Sequence, residues 1–333
     1  MTFAVMTEPP GSAPDPARMS IAVPTYRRPV ELANLLRLVL SQLGDLPTDD
    51  VRILVIDNDP DQSGRPVVAA IGSAAVSYLQ ERRPGVAAVR NRALREAWSD
   101  DVLIFIDDDQ LPDDGWLRGL VSAWRFSGEA VAGPVVSEVP QDADGWIRNG
   151  GFFDRSYRNS LVTGDEIDEV ATTNLLLDMR AIRSRGLLFD ERFGLSGGED
   201  SLFTRTLTRS GARIIWAAEA RVLERVPANR LSRSWVSRRA ISSGNGVARV
   251  RLALEPSANG RLRTRMSLMT AGLARCGGGA IGAVGGMLRR SDATRGRSTR
   301  TMLRGVGMFL GSLGITYLEY AREGRRWQFG SGS

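Results

Sequence analysis

The sequence predicts an α/β protein, a largely parallel sheet with helices on its faces, followed by a basic helical extension. Three observations carry this. Between Ser20 and about Val226, short runs rich in valine and isoleucine alternate with segments of helical periodicity. The runs end in turn or acidic residues, as strands buried on both faces do. Beyond Pro227 the chain turns to arginine, glycine and longer apolar stretches.

The strands are IAVPTY, RILVID, VSYLQE, VLIFID and AVAGPVV. Between them, PVELANLLRLVLSQL and GVAAVRNRALREAW space their apolar residues as helices do, and Pro29 suits an opening turn. Such alternation builds a sheet whose ligands sit at the carboxyl ends of its strands. The order breaks from Pro140 to Asp168, where Trp146, Phe152, Phe153 and Tyr157 predict an ordered loop or lid. Residues 1–18 are Pro-rich and are expected to form a disordered leader, with the α/β domain over 19–228 and the extension over 229–333.

The 333 residues, 42% hydrophobic and 25% charged, suit a packed domain with an appendage. There is no histidine, and every one of the 44 basic residues is arginine. This excludes a Ser-His-Asp triad, a P-loop lysine, a Schiff-base lysine and histidine-ligated zinc. Cys276 stands alone and no secretory signal opens the chain, so the cytoplasm is the expected compartment.

The net charge of +6 divides unevenly, because from Val226 onward 19 arginines face only Glu255, Asp292, Glu319 and Glu323, giving +15 there and −9 elsewhere. In that basic part, Met266 to Leu288 and Met302 to Tyr320 approach the ~20 apolar residues of a membrane span, but Arg275, the Gly277–Gly279 triplet and Arg304 interrupt them. Arg289, Arg290, Arg295, Arg297 and Arg300 lie between the two. The expectation is of helices lying in the interface of an anionic membrane, with packing against the α/β domain as the alternative. No nucleic-acid-binding module is recognisable, so nucleic acid is not an expected partner.

The chemistry concentrates in carboxylates. In DVLIFIDDDQLPDDGWL a buried strand runs into Asp107, Asp108 and Asp109, which repel one another and call for a cation. Without histidine, oxygen ligands of this kind select Mn²⁺ or Mg²⁺, and Mg²⁺ characteristically binds one or two carboxylates plus substrate phosphates. A diphosphate ligand is therefore expected. Asp57 follows RILVI, where it suits either a turn cap or a ligand contact. In LSGGEDSLFTR, two glycines permit close backbone approach before Glu199 and Asp200 open a helix, and a carboxylate is the natural general base here.

The ordered set VPTYRRP, VIDNDPD, GVAAVRNRAL, FIDDDQLPDDGWL and SGGEDSLFTR, spread over Ser20 to Gly246, resembles the family 2 inverting glycosyltransferases of the GT-A fold. That resemblance implies a Rossmann-like, mostly parallel mixed sheet flanked by helices, acting as a nucleotide-sugar-binding catalytic domain. It implies that Pro24, Thr25 and Arg27 lie beside the nucleotide, Asp57 at its base or ribose, and Arg90 and Asn91 facing it. Asp107 and Asp109 match the two acids of the DxD motif, with Asp109 the direct metal ligand, Asp107 nearer the ribose and sugar, and Asp108 between them. Asp200 matches the catalytic base, supported by Glu199, and Asn174 falls at the donor-sugar pocket. Gly198, Glu199 and Trp146 are placed toward the acceptor. Many such enzymes complete the metal shell with a late histidine; here Glu224 or water takes that place. The later VLERVPANRLSRSW and RGVGMFLGSLGITYLEYAR resemble members that build bacterial exopolysaccharides or lipid-linked glycans. No QxxRW motif of processive synthases is present, which favours transfer of a single sugar.

The expected function is thus metal-dependent, inverting transfer of one sugar from a nucleotide diphosphate-sugar donor to a lipid-linked or polysaccharide-precursor acceptor. The extension would hold the enzyme peripherally on the cytoplasmic membrane surface. Haloacid dehalogenase-like phosphatases share the hhhhDxD appearance but need a lysine. A sugar-nucleotide nucleotidyltransferase would want a glycine-rich loop where PTYRRP stands. A basic membrane-binding protein with a non-catalytic GT-A domain is the non-enzymatic alternative.

Overall fold

A computed structural model describes residues 16–46, 48, 50–155, 158–320 and 327–329. Most of the expected leader and Tyr157 lie outside the described residues. In chain order the first half contains β1 (Met19–Thr25), α1 (Pro29–Leu40), β2 (Val51–Asp57), α2 (Arg65–Ile71), β3 (Val76–Gln80), α3 (Val86–Glu96), β4 (Val102–Ile106), β5 (Gln110–Pro112), α4 (Trp116–Ser127), β6 (Ala130–Ala132), β7 (Val135–Glu138) and α5 (Gly145–Arg148). There follow β8 (Asn174–Asp178), α6 (Met179–Arg185), α7 (Glu199–Arg209), β9 (Ile214–Trp216), β10 (Val222–Arg225), α8 (Arg233–Ala253), α9 (Ala258–Leu288), α10 (Asp292–Ser312), β11 (Ile315–Tyr317) and β12 (Trp327–Phe329).

Seven strands form the main sheet in the order β3-β2-β1-β4-β8-β6-β9. The pairs among β3, β2, β1 and β4 are parallel, β8 runs antiparallel to both its neighbours, and β6 with β9 is parallel again. The continuous apolar runs serve two cores at once, because alternate residues of a strand point to opposite faces. Val102, Ile104 and Ile106 of β4 join α1 and α4 on one face, while Leu103 and Phe105 join α3, α6 and α7 on the other. Two buried tryptophans of α4 find indole acceptors across the sheet, Trp116 on Asn174 at 2.8 Å and Trp124 on Asp178 at 3.2 Å.

AVAGPVV, read as one strand, divides between two sheets: β6 belongs to the main sheet, whereas β7 joins the small sheet β5-β10-β7. Pro134 at the junction lacks the N–H that would continue the first ladder. In the small sheet Glu224 lies opposite both Gln110 and Ser137, which carries it toward the aspartate triplet.

The C-terminal helices are packed through glycine. Serine caps open all three: Ser232, Ser257 and Ser291 accept from Trp235, Gly260 and Thr294 backbone N–H groups. On α9, Gly272, Gly279 and Gly286 recur every seven residues against α10; a Cβ on Gly279 would sit 2.6 Å from the Met302 nitrogen. A Cβ on Gly244 of α8 would come 2.0 Å from the Arg304 carbonyl oxygen, so α8 and α10 also meet backbone to backbone. Both α8 and α10 pack on the α/β part of the chain through α7 and α5, and α9 lies outside them. No described helix is long and apolar enough to cross a membrane.

Candidate active site

The chain leaves β1 toward β2 on one side, and β4 lies on the other, so a crevice opens where β1 and β4 end. Thr25 at the tip of β1 donates to Asp108 at 2.8 Å. Arg28, ahead of α1, reaches Asp108 and Asp109 with one nitrogen at 2.8 Å each. Burial works against the Arg28 charge, but the aspartates outweigh it and hold its pKa above the ordinary range. Burial pushes Asp108 up to about 6 against the pull of Arg28. Burial likewise pushes Asp107 up to about 7 against Arg90, with Asp109 and Asp200 adding repulsion. Among the described residues no hydrogen-bond donor or cation pairs with the Asp107 side chain.

That arrangement fits a hard divalent cation. Asp107 is a half-buried carboxylate with no hydrogen-bond or ion-pair partner among the described residues, and its neighbour Asp109 is held beside it by Arg28. No group of three or more acidic or cysteine side chains among the described residues converges to hold a metal. Glu224 therefore does not join Asp107 and Asp109 as a third ligand in this arrangement. Arg230 stands between, donating to Glu224 at 3.1 Å and reaching Asp109 at 3.5 Å, and Arg155 and Ser137 take the other Glu224 oxygen.

A second carboxylate pair lies nearby. Gly197 and Gly198 adopt φ values of +76° and +94°, which side chains rarely take, and α7 begins at Glu199 directly after them. Arg90 of α3 donates to Glu199 at 2.5 Å and also to Asp200 from the same nitrogen. Thr172 adds a hydrogen bond to the same Asp200 oxygen at 3.0 Å. Burial, reinforced by Asp200 and opposed by Arg90, pushes Glu199 up to about 8. Its second oxygen is buried and has no partner among the described residues.

Asp200 lines a cavity of about 1230 Å³, whereas the buried Glu199 does not reach its wall. β7, the loop around Phe152 and Phe153, the Gly197–Gly198 turn, and residues of α8 and α10 enclose it. Phe153 and Trp235 stack with centroids 6.0 Å apart, and Trp216 also faces the space. The expected lid is thus an ordered wall. Trp146 is buried behind it, packed on Phe152 at 4.7 Å, and does not line the cavity. The chain after α10 straps this region: the Tyr320 N–H donates to the Leu195 carbonyl at 2.9 Å, while Glu319 accepts from Arg239 at 2.5 Å and Ser242 at 2.6 Å.

The sequence-predicted residues separate into two groups. Thr25, Arg90, Asp107, Asp108, Asp109, Gly198, Glu199 and Asp200 come together around the crevice and cavity, with Pro24 beside Thr25. Arg27, at φ +56°, turns outward to Asp59 and Asp61. Asp57 is fully buried and spends its oxygens on the Asp59 and Gly64 N–H groups and the Tyr78 hydroxyl, so it holds the loop after β2. Asn91 clamps the Phe189 backbone at both ends of its amide. Asn174 is equally committed, accepting from Trp116 and donating to Ala220 and Pro134 carbonyls. Arg28, Thr172 and Arg230 escaped the sequence reading; only Arg28 had a local signal, as the second arginine of YRRP.

An α/β sheet that meets an aspartate triplet at its switch point, with a carboxylate-lined cavity alongside, is the GT-A architecture. A glycosyl transferase family 2 model matches residues 20–186. The succinoglycan biosynthesis protein ExoM of Rhizobium meliloti (strain 1021) is 33% identical over 311 residues, covering 92% of this chain and 96% of that one. The chain belongs to glycosyl transferase family 2, and it is a glycosyltransferase. Among solved structures, the mannosyltransferase PcManGT from Pyrobaculum calidifontis, in complex with GDP-Man and Mn²⁺, superposes with a TM-score of 0.59 at 19% identity, covering 91% of this chain and 90% of that chain. GalNAc-T7 with UDP, GalNAc and Mn²⁺ gives 0.53 at 14% identity, covering 73% of this chain and 49% of that chain.

Proposed function

We propose that the protein transfers a single sugar, with inversion and with a divalent metal, from a nucleotide diphosphate-sugar to a lipid-linked or polysaccharide-precursor acceptor in exopolysaccharide synthesis. The observation that carries this reading is that Arg90 joins two carboxylate stations: it bonds Glu199 and Asp200 and feels the charge of Asp107 as well. One station suits a donor diphosphate and the other faces a cavity large enough for an acceptor. ExoM, a succinoglycan biosynthesis protein, supports the pathway class, and the Mn²⁺ and nucleotide ligands of PcManGT and GalNAc-T7 support the donor chemistry.

In this reading Asp107 and Asp109 would hold Mn²⁺ or Mg²⁺, which when bound supplies charge stabilisation to the departing diphosphate. Arg28 fixes Asp108 and Asp109 in place, and Thr25 sets the Asp108 carboxylate. Pro24 and Thr25 border the nucleotide, with Asp57 shaping the loop beneath it, while Arg27 is held outward by Asp59 and Asp61. Asp200 takes the proton from the attacking acceptor hydroxyl, oriented by Arg90 and Thr172. Attack from the acceptor cavity, opposite the leaving diphosphate, inverts the anomeric centre.

The membrane part of the proposal rests on α9. Leu262, Met266, Leu273, Ile281, Val284, Met287 and Leu288 are each more than half exposed, and their spacing puts them on one side of the helix, away from its glycine seam. Arg261, Arg263 and Arg265 lie near the start of that helix, and Arg289 and Arg290 follow its end. Apolar burial and attraction to anionic lipid would act together on the cytoplasmic membrane face.

Calorimetric titration of UDP, GDP and dTDP, with and without Mn²⁺, tests the core of the reading. One nucleotide should bind only with metal, and Asp109→Asn should abolish that binding. A folded protein that binds none of them would sink the proposal.

A further inference from the structure

We propose that an arginine-walled recess among α8, α9 and α10 is a subsite for a diphosphate carried by the acceptor. This rests on the reading of the large cavity as the acceptor site. The recess has a volume of about 310 Å³, and Arg251, Arg275, Arg300 and Arg304 line it with no aspartate or glutamate among its described wall residues. A liquid water takes up about 30 Å³, so the recess admits a group several times larger. Four arginines on the wall of a space with no carboxylate among its described wall residues favour an anion there, and the planar fork of a guanidinium matches phosphate oxygens two at a time.

Three of these arginines, Arg251, Arg300 and Arg304, also line the large cavity whose wall bears Asp200. A phosphate group in the recess therefore borders the same space as an acceptor hydroxyl at Asp200. The frame is stiff, because Gly244 meets the Arg304 backbone and Gly305 meets Gly272 at distances that leave no room for a side chain. The donor's diphosphate has a separate station, since Asp107, Asp108 and Asp109 lie on the wall of neither space. The chemical class that fits is a sugar acceptor attached to a diphosphate, from a carrier lipid or a soluble molecule.

The test uses the full chain in metal-free buffer with inorganic diphosphate and farnesyl diphosphate as probes, measured by calorimetry. Inorganic diphosphate should bind the native protein and Asp109→Asn alike, and Arg304→Gln and Arg251→Gln should each weaken it at least tenfold. Mn²⁺-dependent nucleotide binding should stay within twofold in both arginine variants, which shows that they fold and keeps this test separate from that of the donor site. If Arg304→Gln fails to fold, Arg251→Gln still decides, because Arg251 is exposed and makes no hydrogen bond or ion pair among the described residues. Tighter binding of farnesyl diphosphate assigns the site to a lipid carrier, and equal binding assigns it to a soluble diphosphate. Binding of neither probe, or binding indifferent to the arginines and lost in Asp109→Asn, overturns the subsite. Loss of nucleotide binding in the native protein would instead overturn the donor reading and leave the diphosphate result standing.

Discussion

One nitrogen of the buried Arg90 guanidinium donates to Glu199 at 2.5 Å and to Asp200 as well, so two adjacent carboxylates share a single cation. Removing one partner of a buried ion pair leaves the other uncompensated, at a cost of about 3–5 kcal/mol. Arg90→Ala is expected to lower the urea midpoint correspondingly and to cut turnover at least a hundredfold. Arg90→Lys keeps the charge but lacks the planar fork, and should fall between the two. A stability unchanged by Arg90→Ala would refute the bridging role.

Asp200 and Asp109 should fail differently. Asp200→Asn removes a proton acceptor, an effect of about 10²–10⁴ in rate, while nucleotide affinity stays within about twofold of the native value. Asp109→Asn should instead lose metal-dependent binding. Release of nucleoside diphosphate, compared with calorimetric affinity for the same variants, separates them; equal loss of binding in both would undo the division of roles.

The Glu199 carboxyl, raised from 4.5 to about 8, makes a signed prediction about pH. Below its ordinary value the group is protonated in folded and unfolded chains alike. As pH rises toward 8 the unfolded chain releases a proton that the folded chain keeps, so stability falls across that window and levels off above it. Glu199→Gln removes this titration, and the decline of Tm between about pH 5 and 8 should be shallower in the variant. Identical slopes would place the buried proton elsewhere.

On α9, two positions close in sequence should behave in opposite ways. Gly279 touches α10, and a Cβ there would lie 2.6 Å from the Met302 nitrogen, so Gly279→Leu should cost at least the ~1–3 kcal/mol of an overpacked core. Ile281 is 76% exposed, and Ile281→Glu should change stability by less than about 0.5 kcal/mol. Combined with Leu288→Glu, it should abolish sedimentation with anionic vesicles at low salt. Unchanged vesicle binding would remove α9 from the docking surface.

Much of the fold was legible because parallel strands advertise themselves. VLIFI can be buried on both faces only in a covered sheet, and β4 is the strand that results. β8 was harder: NLLLD is short and carries no turn signal marking it as antiparallel, so its position beside β4 emerges only from tertiary pairing. The acidic stations were visible because consecutive carboxylates are costly wherever they occur. Arg90 was legible in its motif, but Arg28 and Arg230 were not, since one of many arginines looks like another until the fold brings Arg230 across from α8's approach to Asp109. Asn91 and Asn174 illustrate the converse: both sit in motifs near the site, yet their amides are spent on backbone and indole groups that no local pattern reveals.

The strap from Glu319 and Tyr320 onto the turn before Asp200 also orders events during synthesis. A ribosome that has reached residue 210 has delivered every carboxylate of the two stations, but neither Tyr320 to bond Leu195 nor Glu319 to bond Arg239 and Ser242. The Gly197–Gly198 turn, which needs left-handed backbone at both positions and is bonded locally to Phe193, gains the strap's support only after more than a hundred further residues have emerged. The last support of the turn that leads into Asp200 thus arrives late, when the arginine-rich helices are already in place.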